Sequence, residues 1–334
     1  MNIKEIARRA KVSTATVSRT MNRIPTVDPK LARRVLKVAA ELGYYPNTQA
    51  RALVSGRSRI FGLIVSEITN PFFPEIVQSF EDVAVQHNYE ILLSSTVHHP
   101  QRMEMAVRRM IERRVEGVAI LTFGMEESLT ENLRFRNVPL VFVDVGPDMP
   151  GISNIRINYL SGIRQAVQHL AALRHSRIAF IAGPSNLKSA VTRRSAFEES
   201  IEELGLRLPA EYVVESDHTM EGGIGSLNKL LALDMPPTAV MCSNDMTAIG
   251  VLRRAYDCGI KVPNQLSVVG FDDIRLAQFT TPPLTTIRMS QAEIARLAFQ
   301  ALMNHVETPS NGTSNGHYSL TTSLVLRSST ALAQ

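Results

Sequence analysis

The sequence predicts a small all-α head followed by an α/β core of two doubly wound lobes. Three observations carry that prediction. The first 45 residues hold three short amphipathic runs with capping residues at their ends. From Ser58 onward, Val- and Ile-rich runs alternate with helical stretches. The alternation falls into two series, roughly 59–157 and 158–286, and later segments return to each. At 334 residues the chain is also too long for one small core.

In the head, Ile3, Ile6, Ala7 and Ala10 recur at helical spacing, so residues 3–10 read as an amphipathic helix. Lys11-Val12 breaks the pattern, and Ser13 stands where an N-cap belongs. Thr14 to Met21 form the second helix, with Val17 and Met21 on one face and a small, polar remainder carrying a single Arg. Such a surface can enter the major groove of a duplex, because nothing bulky holds it off. Asp28 caps the third helix and Pro29 fits its first position. Leu31, Val35, Val38 and Leu42 form its expected apolar stripe, and Gly43 its stop. Three short helices with a tight turn between the first two make a helix-turn-helix pattern.

In the core, the expected strands are FGLIVSEI, YEILLSST, GVAILTF, PLVFVDV and NIRIN, then RIAFIAG, YVVES, AVMCSND, LSVVGFD and LTTIR. A helix near 290–306 should return to the first lobe, and TTSLVLRSS should complete the second. Repeated crossing between lobes makes a hinged cleft that can close on a small ligand. In open α/β sheets, ligand groups belong at the carboxyl ends of the strands. Asp144, Asn244, Asp245, Asp272 and Asp273 fall there, and acceptors of that kind suit a hydroxyl-rich ligand. Asn70-Pro71-Phe72-Phe73 follows the first strand and offers rings for stacking. Arg193 lies near the start of a later helix.

Charge divides the chain in the same place. Residues 1–59 carry +10 and the rest −5, the asymmetry of a basic nucleic-acid reader on a mildly acidic body. Hydrophobic residues at 44% and charged residues at 20% are ordinary for a globular protein. Cys242 and Cys258 match no zinc motif and cannot staple so long a chain, and Cys242 reads as a small buried residue. No apolar run reaches the ~18 residues of a membrane span. The start MNIKEIARRA lacks the apolar segment of a signal peptide, so a cytoplasmic location and no membrane partner are expected. No G-x-G-x-x-G turn, P-loop or nucleophile elbow occurs, and Gly222-Gly223-Ile224-Gly225 has the wrong spacing. His98-His99 cannot both face one metal on a regular element. No enzyme activity, cofactor or metal is therefore expected.

The segments IKEIARRAKVSTATVSRTMN and LGYYPNTQARAL together resemble the lactose repressor/galactose repressor family of bacterial transcriptional regulators. The pairing of VSTATVSR with PNTQARAL is highly specific, and the resemblance covers the whole chain. It implies a helix-turn-helix headpiece over 1–45, a hinge helix and linker over 46–58, and a periplasmic-binding-protein-like core over 59–334. Within that core, lobe one would span 59–157 with 288–317, and lobe two 158–287 with 318–330.

The resemblance also implies roles. Thr14, Ala15 and Arg19 would face base edges. Arg19 can offer a bidentate fork to guanine, worth ~1–3 kcal/mol of discrimination, whereas Ala15 can make only apolar contact with a thymine methyl. Ser13, Thr16, Ser18 and Asn22 would contact phosphates, and for Ser13 a capping role is compatible. Asn47, Ala50 and Arg51 would belong to the hinge helix, too short to stand alone in water and folding only with DNA and a second copy. Leu53 would be a minor-groove wedge rather than an ordinary apolar linker residue.

For the cleft, the resemblance implies effector contacts at Phe72, Phe73, Asp144, Arg193, His218, Asn244 and Asp272. His218 falls where many relatives carry an aromatic ring, and Leu187 departs from the arginine of a purine-binding relative. Other readings stay open. Asn244 and Asp272 could cap helices, Arg193 could form a surface ion pair, and one of the two phenylalanines should be core. The implied partners are double-stranded operator DNA, bound as a homodimer at a pseudo-palindromic site, and a small-molecule effector. A sugar or sugar derivative is the first choice for that effector and a nucleoside the second. TALAQ follows shortly after the last strand with no heptad helix, which favours a dimer over a tetramer.

Overall fold

A computed structural model describes residues 2–22, 24–44, 56–97, 99–122, 125–144, 146–149, 151–307 and 316–334. The chain divides into two compact units, Met1–Ser58 and Arg59–Gln334. The hinge residues Asn47, Ala50 and Arg51 and the wedge residue Leu53 lie outside the described residues.

The first unit holds α1 (Ile3–Ala10), α2 (Thr14–Met21) and α3 (Pro29–Glu41). Ser13 accepts a hydrogen bond from the Thr16 amide at 3.1 Å, which satisfies one free donor at the start of α2. Asp28 accepts from the Lys30 and Leu31 amides at 2.9 and 3.1 Å. Gly43 ends α3 with φ +57, a left-handed conformation that costs glycine little. Ile6, Ala7, Ala10, Val17, Val35 and Ala39 form the core of the unit. The buried stripe of α3 thus runs through Val35 and Ala39, while Leu31, Val38 and Leu42 are half-buried at its edges.

The second unit contains two six-stranded sheets. The first is built from β1 (Ile60–Val65), β2 (Glu90–Ser95), β3 (Gly117–Leu121), β4 (Leu140–Val143), β5 (Ile152–Asn158) and β11 (His317–Thr321), in the order β11-β5-β4-β3-β1-β2. The second is built from β6 (Ile178–Ala182), β7 (Val213–Glu215), β8 (Ala239–Cys242), β9 (Ser267–Asp272), β10 (Thr285–Arg288) and β12 (Ser323–Val325), in the order β12-β10-β9-β8-β6-β7. All pairings are parallel except β10 with β12. Parallel strands need crossover helices on both faces, which accounts for the uninterrupted apolar runs. The first lobe has α4 (Phe72–Gln86), α5 (Pro100–Glu112) and α6 (Glu127–Phe135). The second has α7 (Tyr159–Ala172), α8 (Lys188–Glu203), α9 (Met220–Leu231) and α10 (Asp245–Asp257). The returning helix α11 (Gln291–Glu307) packs on α4 through Phe299, whose ring meets Phe61, Phe80 and Tyr89 edge-on.

The lobe boundaries need correction. His317–Thr321 pair with β5, Leu320 opposite Ile157, so residues 318–321 belong to the first lobe and not the second. The last crossing falls at Thr322, whose hydroxyl donates to the Asn158 carbonyl at 2.7 Å and accepts from the Gly162 amide at 3.0 Å. Asn158 and Arg288 likewise stay with the strands that precede them. Sequence pattern cannot separate β11 from β12, because one residue divides two short strands of different sheets.

Candidate ligand cleft and nucleic-acid interface

Strand ends from both lobes converge on one cavity of about 300 Å³. Glu67, Asn70, Phe72 and Phe73 follow β1, and Pro184, Asn186 and Leu187 follow β6. Asp217 and His218 follow β7, Asn244 follows β8, and Asp272 ends β9. Arg193 projects from the second turn of α8. A smaller apolar recess shares Phe72, Phe73 and Arg193 and adds Asp144 and Tyr159. All seven residues expected to bind an effector therefore line one composite cleft.

Arg193 is its centre. The side chain is buried, so a surface ion pair is ruled out as its role. Its guanidinium lies 4.2 Å from the ring centre of Phe271 and 5.0 Å from that of Tyr159. One nitrogen donates to the Ser243 carbonyl at 2.6 Å, and another stands 3.6 Å from Asp272 Oδ1. Burial works to lower its pKa, but Tyr159 and Asp272 outweigh it and the pKa rises. The cation is permanent there, held by ring faces and one carbonyl, with Nε left without a hydrogen-bond partner among the described residues.

The carboxylates respond in the opposite sense. Burial pushes Asp272 up to about 7; Arg193 pulls it down and Glu75 adds to the rise. Burial also raises Asp144, which accepts a hydrogen bond from the Tyr159 hydroxyl at 2.7 Å. Asp217 is exposed, and the Thr219 hydroxyl and amide that donate to it carry it below the ordinary value against a desolvating contribution. Asp144, His218 and Asp272 take φ values of 73, 66 and 112, unusual for residues with a Cβ. Conformations of that kind cluster where side chains must be aimed at a ligand.

The alternatives resolve residue by residue. Asn244 caps a helix and also lines the cavity: Oδ1 caps α10 by accepting from the Thr247 amide at 2.9 Å, and Nδ2 donates to the His218 carbonyl at 3.0 Å. Among the described residues, the Asp272 side chain caps no helix. The expectation that one phenylalanine is core and the other cleft does not hold. Both are buried, both line the cavity, and their rings meet edge-to-face at 5.4 Å. Two further strand-end acids turn away. Asp245 is fully buried and accepts from the Thr286 hydroxyl at 2.5 Å and the Ile274 amide at 2.9 Å. Asp273 pairs with Arg288 at 2.7 Å and Arg327 at 2.5 Å.

Sequence reasoning missed Tyr159, Glu67, Asn186 and Asp217. Tyr159 carried a usable signal, since it follows a strand at a lobe crossing. The two lobes also touch beside the cleft, where the Arg275 amide donates to Glu75 Oε1 at 2.9 Å. Among the described residues no His, Cys, Asp and Glu group could hold a metal ion, and no helix is long and apolar enough to cross a membrane.

On the head, Ser13, Thr14, Ala15, Arg19 and Asn22 are exposed and Thr16 and Ser18 half-buried. Arg19 forms no ion pair among the described residues, so its fork is free to reach a partner. The α1 face is different in kind: Glu5 binds Arg8 at 2.7 Å and Arg9 at 3.0 Å, and these arginines hold its carboxyl down to about 2.

Comparison with known proteins agrees with this geometry. Residues 2–47 match the bacterial regulatory proteins of the lacI family, and 167–330 match a periplasmic binding protein-like domain. The HTH-type transcriptional repressor CytR of Escherichia coli K12 is 33% identical over 332 residues, 98% of this chain and 96% of that one. The ribose operon repressor of the same strain is 33% identical over 308 residues, 92% of this chain and 93% of that one. The lac repressor dimer bound to operator and the anti-inducer ONPF superposes with a TM-score of 0.88 at 28% identity, covering 99% of each chain. Each of these relatives is a transcriptional regulator and none is an enzyme. The headpiece, the two-lobed core and the relatives agree, and the chain belongs to the LacI family of bacterial DNA-binding transcriptional regulators.

Proposed function

We propose that this protein is a dimeric repressor that binds a pseudo-palindromic operator and is controlled by a sugar or sugar derivative in the cleft between its lobes. One observation carries the ligand class: Arg193, Asp272 and Asn244 line one cavity and Asp144 the adjoining recess, and both spaces are lined by the Phe72 and Phe73 rings and by Arg193. A fixed cation beside carboxylates can donate to and accept from the same hydroxyl, and ring faces cover the apolar side of a sugar. Among the relatives, one is named for the ribose operon. A ligand that bridges the lobes favours their closed arrangement by its difference in affinity for the two states, and DNA affinity shifts with that equilibrium.

On the head, the reading assigns base contacts to Thr14, Ala15 and Arg19, and phosphate contacts to Ser13, Thr16, Ser18 and Asn22. The exposure of α2 and the free Arg19 fork support it. Two heads on one site multiply weak single-head binding. The test is a thermal-shift screen of the full chain against sugars and nucleosides, followed by selection of duplex DNA from a random pool. A stabilising polyhydroxylated ligand and a selected inverted repeat are expected. No stabilising ligand, or selection of a sequence without two-fold symmetry, contradicts the reading.

A further inference from the structure

The second lobe carries a separate cavity of about 540 Å³ at the opposite end of its sheet from the cleft. Its walls are the connections that enter β6, β7 and β8, so it lies at the amino ends of those strands. It shares no residue with the cleft, its apolar recess or the space beside them.

Two sets of hydrogen bonds fix these connections to one another. The Arg177 carbonyl, just before β6, accepts from the Thr238 and Ala239 amides at 2.9 and 3.2 Å. The Tyr212 hydroxyl, just before β7, donates to the Met235 carbonyl at 2.6 Å. The cavity is therefore held open by the chain itself, and a ligand need not order its walls.

The side chains in those walls carry both signs of charge. Arg177 and Arg207 face the cavity together with Glu211 and Asp234, and none of the four forms an ion pair among the described residues. Exposed charges unpaired in this way are solvated and ordinary. Arg177 is not ordinary, because its Nε is buried and has no hydrogen-bond partner among the described residues. A buried charged donor in that state is costly and calls for an acceptor. Burial raises the Tyr212 pKa; Arg177 opposes the rise and Glu211 adds to it, so both charges act on the same hydroxyl. Beside them, Leu233 and Met235 supply aliphatic and thioether surface. A simple anion would find Arg177 but be repelled by Glu211 and Asp234, and a simple cation would meet the reverse. A molecule carrying both charges on an apolar body satisfies the whole wall.

We propose that this cavity binds a zwitterion with an apolar body, an α-amino acid or a short peptide. Its carboxylate pairs with Arg177, its ammonium with Glu211 and Asp234, and its side chain packs on Leu233 and Met235. The site is a second small-molecule input, independent of the effector-cleft reading.

The experiment is isothermal titration of the full chain with L-leucine and leucyl-leucine. Isocaproate, which lacks the ammonium, and isoamylamine, which lacks the carboxylate, serve as half-molecules. At least one zwitterion binds about tenfold more tightly than either half-molecule, and the tighter of the two separates a free amino acid from a peptide. Glu211 is exposed, so E211Q folds, and it weakens zwitterion binding about fivefold or more. R177Q does the same with an unchanged circular dichroism spectrum, while D272N, in the cleft, leaves zwitterion affinity intact. No binding of either zwitterion overturns the proposal, as do half-molecules that bind as tightly as the whole. Affinity that survives both E211Q and R177Q, or that is lost in D272N, overturns the placement at this cavity.

Discussion

Arg193 and Asp272 face each other at 3.6 Å in the wall of the cleft, both buried, with no hydrogen bond between them. Opposite charges held just beyond hydrogen-bond length, each with a polar atom left over, are set to be bridged by a third group. A ligand hydroxyl can accept from the guanidinium and donate to the carboxylate at once. In Asp272→Asn the carboxylate acceptor becomes a neutral amide. Effector affinity should fall roughly 10–100-fold, as expected for losing a charge-assisted hydrogen bond, and titration calorimetry checks it.

The same pair predicts a pH dependence. Asp272 titrates near 7 in the folded chain against an ordinary value of 3.8. Between those values the folded state binds more protons than the unfolded state, so stability falls as pH rises through that window and levels off above it. The contribution is on the order of 2–4 kcal/mol, and Asp272→Asn should flatten the decline in denaturant midpoint between about pH 4 and 7. Effector binding runs the other way. A hydroxyl donates better to the ionised carboxylate, so affinity should strengthen as pH rises through 7. Affinity that is flat across neutrality would separate Asp272 from the ligand.

Gly183 leaves room for His218. A Cβ at position 183 would lie 1.9 Å from the His218 imidazole Nε2. Gly183→Ala should swing that ring out of the cavity wall, weakening effector binding while the secondary structure stays intact. Circular dichroism together with titration distinguishes this from general unfolding.

In the head, Arg19→Ala should relax preference at one base position per half-site, at a cost of ~1–3 kcal/mol, which selection on randomised duplexes would read. A uniform loss across all sequences would make Arg19 a phosphate contact instead. Wild-type affinity should fall steeply with salt.

Much of this was legible in the sequence because the relevant signals are local. Capping at Ser13 and Asp28, the stop at Gly43 and the strand-end positions of Asp144, Asn244 and Asp272 are read from short windows. What escaped depends on distant contacts. Adjacent acids at a strand end look alike in sequence, yet Asp272 faces the cleft while Asp273 pairs with Arg288 and Arg327. Only the packing of β10 and the segment after β12 makes that distinction. Phe72 and Phe73 both reach the cavity because Asn70 accepts from the Phe72 amide at 3.1 Å and starts the helix with both rings inward. The break at Thr322 follows from pairing with β5, more than 150 residues away.

The most direct test of the central claim is the affinity of the full chain for its selected duplex, measured with and without the ligand that stabilises the core. Saturating ligand should change that affinity by about tenfold or more, in either direction. An affinity that stays the same while the cleft is demonstrably occupied would contradict control of DNA binding by the cleft.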